Sequence, residues 1–260
     1  MKSHLLLLSL IASPILAHIA TAADPAALTQ PGVVLSFDDR FVDQWVAALP
    51  LFEKYDAKVT FFISGFDRLS PKQIEGLKKL EAAGHAIGCH SMRHHKAVDF
   101  VKKHSLDAYL DKEIHPAVRL MCDAGFNPTS FAYPCSQNNA ETDTALLNIF
   151  RHLRTGTGQP KGMRLSELDA VFVKLDDIAS QGCVTARGID YCDVEGKNRP
   201  LDQILEALDR AKCDGELLIL LGHNISENGP GHHIRPEKLE AILRHGKQIG
   251  LRFYSFDELP

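Results

Sequence analysis

The chain of 260 residues has no excess of positive charge, since 29 lysines and arginines are outnumbered by 33 aspartates and glutamates, for a net charge of −4. We therefore expect neither nucleic acid nor an anionic lipid surface as a partner. The sequence also lacks low-complexity segments, fixed-period repeats and any long apolar run after residue 23. Hydrophobic residues make up 45% and charged residues 24% of the chain. This balance excludes a disordered, fibrous or multi-span membrane protein.

The first 23 residues are typical of a secretory signal peptide. An apolar stretch at 5–17 precedes small residues at 20–22, the pattern of a cleavage site. A membrane anchor is the alternative, but the stretch is shorter than the ~18–20 residues of a span and contains Pro14. We expect a signal peptide at 1–23, a flexible lead at 24–31 and a single domain at 32–260, in a secreted or periplasmic protein.

Export would place the six cysteines in an oxidising compartment, where disulfides are allowed. Cys183 and Cys192 are the best local pair, and free buried thiols are the alternative. A domain of this length can bury a full core without disulfides, so the cysteines are optional for folding.

Strand patterns and helix patterns alternate through the rest of the chain. Strand patterns lie at 33–37, 59–63, 85–89, 130–133, 171–173, 216–221 and 251–254, and helix patterns at 44–55, 70–83, 105–124, 141–152, 200–213 and 236–249. Pro50 predicts a break in the first helix, whereas Ser70, Pro71 and Gln73 predict a capped start of the second. The alternation predicts an α/β fold whose parallel sheet is open or closed into a barrel. Apart from the strand pattern at 171–173, segment 155–197 has no regular pattern.

Polar residues follow four of the predicted strands, and the carboxyl ends of parallel strands meet at one rim. His90 and His94 are four residues apart, which would place both on one face of a helical turn. Two imidazoles with Asp39 as a third ligand suit one zinc ion with an open position. Surface histidines in a basic loop are the alternative. His223 ends an apolar strand, where a lone histidine is more often structural.

These strand ends resemble the ordered motifs of the polysaccharide deacetylases, which form carbohydrate esterase family 4 and contain the NodB homology domain. The family's T-F-D-D motif corresponds to Ser36-Phe37-Asp38-Asp39, its H-S/T-x-x-H motif to His90-Ser91-Met92-Arg93-His94, and its L-x-H motif to Leu221-Gly222-His223. The resemblance covers roughly residues 32–254. It implies a single domain with a distorted (β/α) barrel.

The resemblance also implies a role for each motif residue. One divalent metal ion, usually zinc, would be bound by Asp39, His90 and His94. Asp38 would be the general base and His223 the general acid, while the backbone N–H of Cys135 would stabilise the oxyanion. The substrate-binding residues would be Leu221 beside the acetyl methyl group and Tyr133 and Pro134 of the third motif.

Two departures from the family pattern concern the supporting residues. Ala132 occupies the position of the third-motif arginine that steadies the catalytic aspartate. The fourth motif, an aspartate and a tryptophan near the acid histidine, is not recognisable, because the only tryptophan is Trp45. Asp176 and Asp177 are candidates for the aspartate of this motif, but no pattern in the sequence supports either of them. His95 lies outside the H-S/T-x-x-H motif and is interpreted as a neighbour of His94.

The sequence thus predicts a secreted, metal-dependent hydrolase that removes acetyl groups from a polysaccharide or oligosaccharide. An amide needs its departing amine protonated, whereas an ester needs this less. The N-acetyl group is the default and an O-acetyl ester the second option. A non-catalytic carbohydrate-binding relative is a first alternative, which the intact Asp38, Asp39, His90 and His94 disfavour. A small-amide hydrolase of the same fold is another, which the export signal disfavours.

Overall fold

The structure is a computed structural model that describes residues 28–190, 200–229 and 231–260. The strands are β1 (Gly32–Asp39), β2 (Thr60–Ile63), β3 (Ala86–Cys89), β4 (Ser130–Ala132), β5 (His152–Gly156), β6 (Phe172–Lys174), β7 (Cys183–Gly188), β8 (Glu216–Gly222), β9 (Asn224–Ile225), β10 (His233–Ile234) and β11 (Arg252–Tyr254). The helices are α1 (Val42–Ala47), α2 (Leu49–Lys54), α3 (Pro71–Ala82), α4 (Ala97–Lys103), α5 (Leu106–Tyr109), α6 (His115–Asp123), α7 (Ala140–Leu147), α8 (Leu201–Asp214) and α9 (Pro236–Gln248). A π-helical turn, Leu110–Ile114, joins α5 to α6.

Seven parallel strands close into a barrel in the order β1-β2-β3-β4-β5-β7-β8, and β8 pairs back to β1 over six residues. The closure is distorted because β1 pairs with β11 through its first residues and with β2 through its last. β6 adds to β8 antiparallel. The predicted (β/α) barrel is confirmed.

Side-chain alternation along the strands separates an interior core from an outer one. Leu217, Ile219 and Leu221 belong to a cluster that includes Val34, while Leu218 and Leu220 belong to the larger cluster that also contains helix residues. Asp38 has the same parity as Val34, so it faces the interior of the barrel near its rim.

Local signals in the sequence account for several element ends. Ser70 accepts a hydrogen bond from the Gln73 N–H while the Gln73 side chain accepts from the Ser70 N–H, so α3 begins with the predicted capping box. The first helical pattern is divided into α1 and α2, with Pro50 in the first turn of α2.

Two predictions about secondary structure are wrong. The helix predicted at 141–152 ends at Leu147, and the chain then forms β5, whose sequence His-Leu-Arg-Thr-Gly has few β-branched residues. The segment predicted to be irregular contains β7.

Residues 1–27, which contain the predicted signal peptide, lie outside the described residues, as does Cys192 of the predicted disulfide. Cys183, its predicted partner, is half-buried at the start of β7. None of the helices in the described ranges is long and apolar enough to cross a membrane.

Candidate active site

The strand register brings the polar strand ends to one level of the barrel rim. Asp39 pairs with Ile63 on β2, and Ile63 pairs with Cys89 on β3, so His90 follows at the same height. On the other side of β1, Phe37 pairs with Gly222, which directly precedes His223. The aspartates and the two distant histidine motifs therefore converge, as the parallel arrangement predicts.

Asp39, His90 and His94 each offer one ligand atom, and these three atoms lie within 4.8 Å of one another. Asp39 Oδ1 is 3.9 Å from His90 Nε2 and 3.5 Å from His94 Nε2. The side chain of His90 is 2% exposed, whereas those of Asp39 and His94 are 35% and 40% exposed. The cluster is thus anchored in the barrel and open on one side.

The hydrogen bonding of His90 fits a metal ligand. Its Nδ1 lies 2.7 Å from the carbonyl oxygen of Ala132. A carbonyl can only accept, so Nδ1 carries the proton and Nε2 presents its lone pair toward Asp39 and His94. Burial lowers the pKa of His90 to about 4, which favours the neutral, ligand-competent imidazole.

The loop that carries His94 is not the helical turn that the spacing predicted. Ser91 and His94 both adopt left-handed backbone conformations, with φ of 65° and 61°. Ser91 Oγ accepts the His94 N–H at 3.0 Å. Non-glycine residues rarely adopt this conformation, so the surrounding structure must hold the loop in place.

Glu113, on the π-helical turn, holds this loop from the other side. Its side chain is 1% exposed. One carboxylate oxygen accepts a hydrogen bond from the backbone N–H of Arg93 at 2.8 Å, and the other lies 2.8 Å from His95 Nδ1. Its carbonyl oxygen accepts the Met92 N–H at 2.9 Å. His95 therefore contributes to the loop around His94 as a partner of Glu113.

Asp38 forms a buried ion pair with a residue that the sequence analysis did not identify. Arg154 Nη2 lies 2.5 Å from both carboxylate oxygens of Asp38, and the two side chains are 1% and 5% exposed. Arg154 is on β5, where it pairs in register with Ala132 on β4. The arginine missing at position 132 is thus replaced from the neighbouring strand.

The charges around Asp38 set its protonation state. Burial alone would raise the pKa of Asp38, but Arg154, His90 and His223 together lower it below its ordinary value. Asp38 is therefore ionised at neutral pH.

His223 is held at three points. Asp190 Oδ2 lies 2.7 Å from its Nδ1, and Asp190 Oδ1 accepts its backbone N–H at 3.0 Å. Trp45, which is fully buried on α1, donates its Nε1–H to the His223 carbonyl oxygen at 2.8 Å. Burial opposes the charged imidazole, but the hydrogen bond and charge of Asp190 prevail and raise the pKa of His223 to about 9.

Asp190 and Trp45 are an aspartate and a tryptophan that contact His223, the pair that could not be recognised in the sequence. The aspartate partner of His223 is Asp190, two residues after β7, and not Asp176 or Asp177, which lie in the turn after β6. The single tryptophan is distant in sequence but donates a hydrogen bond to the backbone carbonyl of His223. From the sequence, only the recognition of β7 as a strand could have pointed to Asp190, because Asp190 lies just after the end of that strand.

A hollow of about 490 Å³, here called the catalytic hollow, contains most of these groups. Its lining comprises Asp38, Asp39, Phe41, His90, His94, Tyr133, Cys135, Ser136, Arg154, Leu221, Gly231, His223 and His232. Cys135 adopts a left-handed conformation, with φ of 54°. The hydroxyl of Tyr133 donates to Asp143 at 2.7 Å. Pro134 is buried and is not among the described residues that line this hollow.

Two further hollows continue the catalytic hollow along the rim. A wide hollow of about 1100 Å³ shares Cys135, Leu221 and His223 with it. A hollow of about 440 Å³ on the opposite side shares Asp39, Phe41 and His94 with it. Together they form an elongated groove with the candidate metal ligands and His223 near its middle.

Residues 26–149 match the family model of the polysaccharide deacetylases. Comparison of the sequence with curated proteins finds no match. Among solved structures, the catalytic domain of a peptidoglycan N-acetylglucosamine deacetylase from Eubacterium rectale is similar, with 18% identity, 91% of this chain and 93% of that chain covered, and a TM-score of 0.54.

Two other structures share the fold at comparable similarity. A putative polysaccharide deacetylase from Mycobacterium smegmatis is 15% identical over 90% of each chain, with a TM-score of 0.58. A CE4 esterase from Streptococcus mutans is 19% identical over 87% of this chain and 86% of that chain, with a TM-score of 0.57.

Proposed function

We propose that this chain, which belongs to the polysaccharide deacetylase family, is an exported, metal-dependent deacetylase that removes N-acetyl groups from a polysaccharide. The observation that carries the proposal is the convergence of three potential metal ligands with an ionised carboxylate and a protonated histidine in one open hollow. Export rests on the signal peptide predicted at 1–23.

Asp39, His90 and His94 would hold one divalent ion, and the imidazole–imidazole–carboxylate set suits zinc. When bound, such an ion polarises a carbonyl oxygen and makes water acidic enough to supply a nucleophile at neutral pH. His90 is fixed for this task by Ala132, and His94 by the loop that Glu113 holds.

Asp38 is the general base in this proposal. Its carboxylate lies 3.9 Å from His90 Nε2, beside the ligand cluster, and it is ionised at neutral pH. Arg154 keeps the carboxylate oriented toward the catalytic hollow. The same charge lowers the basicity of Asp38, which suits a group that must accept a proton from an acidified water and release it again.

His223 is the general acid. With a pKa raised to about 9, it is protonated at neutral pH. Asp190 accepts the Nδ1–H, so Nε2 carries the proton that the departing amine needs. An acid of this kind supports amide hydrolysis, because an amide cannot release an unprotonated amine.

The remaining wall of the catalytic hollow would bind the acetyl group. Leu221, 8% exposed, offers an apolar contact for the methyl group. The left-handed turn at Cys135 would direct a backbone N–H at the oxyanion, and one such donor is typically worth about 2.7–4 kcal/mol. Tyr133 contributes to the wall, with its hydroxyl engaged by Asp143.

The elongated groove supports a polymeric substrate over a small amide. It extends beyond the catalytic hollow on both sides, as accommodation of neighbouring sugars requires. The similar structure named as a peptidoglycan N-acetylglucosamine deacetylase is consistent with an N-acetylated glycan as substrate.

The test is acetate release from a panel of N- and O-acetylated glycans and small amides, with and without a chelator. We expect release from N-acetylated oligosaccharides that stops on chelation and returns with zinc. Asp39→Asn is the matched inactive control, since it removes one ligand charge. Zinc uptake without acetate release from any glycan would favour a carbohydrate-binding relative, and release from small amides alone would favour a small-amide hydrolase.

A further inference from the structure

The third hollow of the groove, beside Asp39 and His94, is lined by three arginines. Its lining includes Arg40, Arg68 and Arg93 together with Asp39, Phe41 and His94, and its volume is about 440 Å³. We call it the arginine hollow. It adjoins the catalytic hollow, since Asp39, Phe41 and His94 line both.

Two of the three arginines form no direct ion pair within the part of the chain that the structure describes. Arg93 donates to both oxygens of Asp67, at 2.7 and 2.8 Å, and lowers the pKa of that carboxyl. Arg40 and Arg68 form no salt bridge with any residue in 28–190, 200–229 or 231–260. Asp67 is already paired with Arg93, and Arg68 interacts with it only at longer range. The hollow therefore has an excess of positive charge that its own side chains do not neutralise.

The guanidinium of Arg40 packs against the backbone of Gly65. A Cβ placed on Gly65 would lie 2.6 Å from Nη1 of Arg40, so the guanidinium would have to shift if a side chain were added there. Gly65 also has a φ of 57°, in the left-handed region. Its N–H donates to the Ser91 carbonyl oxygen at 3.0 Å, which ties this position to the loop of His94.

We propose that the arginine hollow is a subsite for an oxyanion substituent, a carboxylate or a phosphate, on a sugar adjacent to the one that is deacetylated. Guanidinium groups bind such planar or tetrahedral oxyanions through paired N–H donors. Phe41, half-buried between the two hollows, offers an aromatic face on which a sugar ring can pack. The substrate class is then an acidic N-acetylated glycan; this specificity rests on the proposed deacetylase function.

The kinetic test compares two N-acetylated hexasaccharides, neutral chitohexaose and the glucuronate-containing hyaluronan hexasaccharide. Each variant is compared with wild type on the same substrate, so that differences in linkage cancel. Arg68→Ala should raise KM for the acidic substrate about tenfold, the usual effect of losing a hydrogen bond to a charged group. We expect its kcat on that substrate, and both constants on chitohexaose, to remain within about twofold of wild type.

Two variants serve as controls. Arg68→Lys keeps the charge and should recover part of the KM effect. Arg244→Ala removes an exposed arginine on α9, outside the hollow, and should leave both substrates unchanged. High salt should weaken the preference of wild type for the acidic substrate and leave turnover of the neutral one unaltered.

A binding measurement separates this proposal from the proposed function. Glucuronate and glucose 6-phosphate are titrated calorimetrically into wild type and into Arg40→Gln/Arg68→Ala, which keeps all three candidate metal ligands. Binding of either sugar acid that the double variant loses supports the subsite, even if no glycan is deacetylated, and the tighter of the two identifies the oxyanion. Equal binding to both proteins, no binding to wild type, or equal KM effects of Arg68→Ala on acidic and neutral substrates would overturn it.

Discussion

Replacement of Asp190 by asparagine should move the alkaline limb of the pH profile. The asparagine side chain has the same shape and can still accept a hydrogen bond, but it removes the negative charge that lies 2.7 Å from His223 Nδ1. Burial lowers the pKa of His223, and without the charge of Asp190 the interactions that raise this pKa are weaker. We expect the pKa to fall from about 9 to the ordinary histidine value of 6.5 or below.

The size of this change follows from the protonated fraction of the acid. A shift from about 9 to 6.5 corresponds to about 3 kcal/mol of interaction at 1.36 kcal/mol per pKa unit. At pH 8 the protonated fraction falls from about nine-tenths to about 3%, so amide hydrolysis should slow about thirtyfold from protonation alone. The loss should shrink toward pH 6, where both proteins carry the proton.

Folding stability supplies a second, independent measurement. Because the pKa of His223 is raised in the folded state, the stabilisation is fully present below pH 6.5 and is lost as pH rises through about 9. The difference in free energy of unfolding between wild type and Asp190→Asn should follow that course. NMR titration of the His223 ring in chelator-treated protein reports the pKa directly.

The exposed pair of His245 and Asp209, also 2.7 Å apart, provides the matched control. Asp209→Asn removes a carboxylate charge beside a histidine away from the groove and should leave the pH profile unchanged. An alkaline limb that stays near pH 9 in Asp190→Asn, or that moves equally in Asp209→Asn, would refute the assignment of His223 as the acid tuned by Asp190.

Five further substitutions test the other parts of the site. Asp39→Asn should lower the affinity for zinc steeply. Asp38→Asn should still bind zinc, as measured by elemental analysis, but its rate should fall by about 10²–10⁴. The reverse pattern would exchange the roles of the two aspartates. Arg154→Met leaves the buried Asp38 carboxylate without its partner, so the free energy of unfolding measured in urea at pH 7 should fall by about 3–5 kcal/mol. The decrease should be smaller in acid. An unchanged unfolding midpoint would contradict the ion pair. His223→Ala should slow acetamide substrates more than matched acetate esters, and equal losses would remove its role. Trp45→Phe keeps an aromatic ring but removes the hydrogen bond to the His223 carbonyl. It should therefore also slow acetamide substrates more than matched acetate esters, by a smaller factor than His223→Ala. A loss confined to stability would mean that Trp45 is purely structural.

The sequence was most informative where the signal is local. The capping box at Ser70 and the break before Pro50 depend on residues within one turn of each other, so they could be predicted. Asp39, His90 and His94 could be selected because each follows a recognisable apolar strand, and parallel strands deliver their carboxyl ends to one rim. The spacing of the histidines was interpreted wrongly in one respect, since a loop held by Glu113, and not a helix, brings them together.

The supporting residues could not be found in this way. Arg154 lies on a strand with few β-branched residues, and its link to Asp38 spans 116 positions in sequence. Asp190 and Trp45 reach His223 across 33 and 178 positions. No short-range pattern encodes such pairs.

Strand alternation and chain order by themselves thus determined a parallel α/β fold and which residues stand at the rim of its sheet, whereas closure into a barrel was implied only by the family resemblance. The tertiary structure alone decided which charge faces which. A buried carboxylate or imidazole takes its protonation state from groups within hydrogen-bond distance, and in this protein those groups come from strands and helices that only barrel closure brings together.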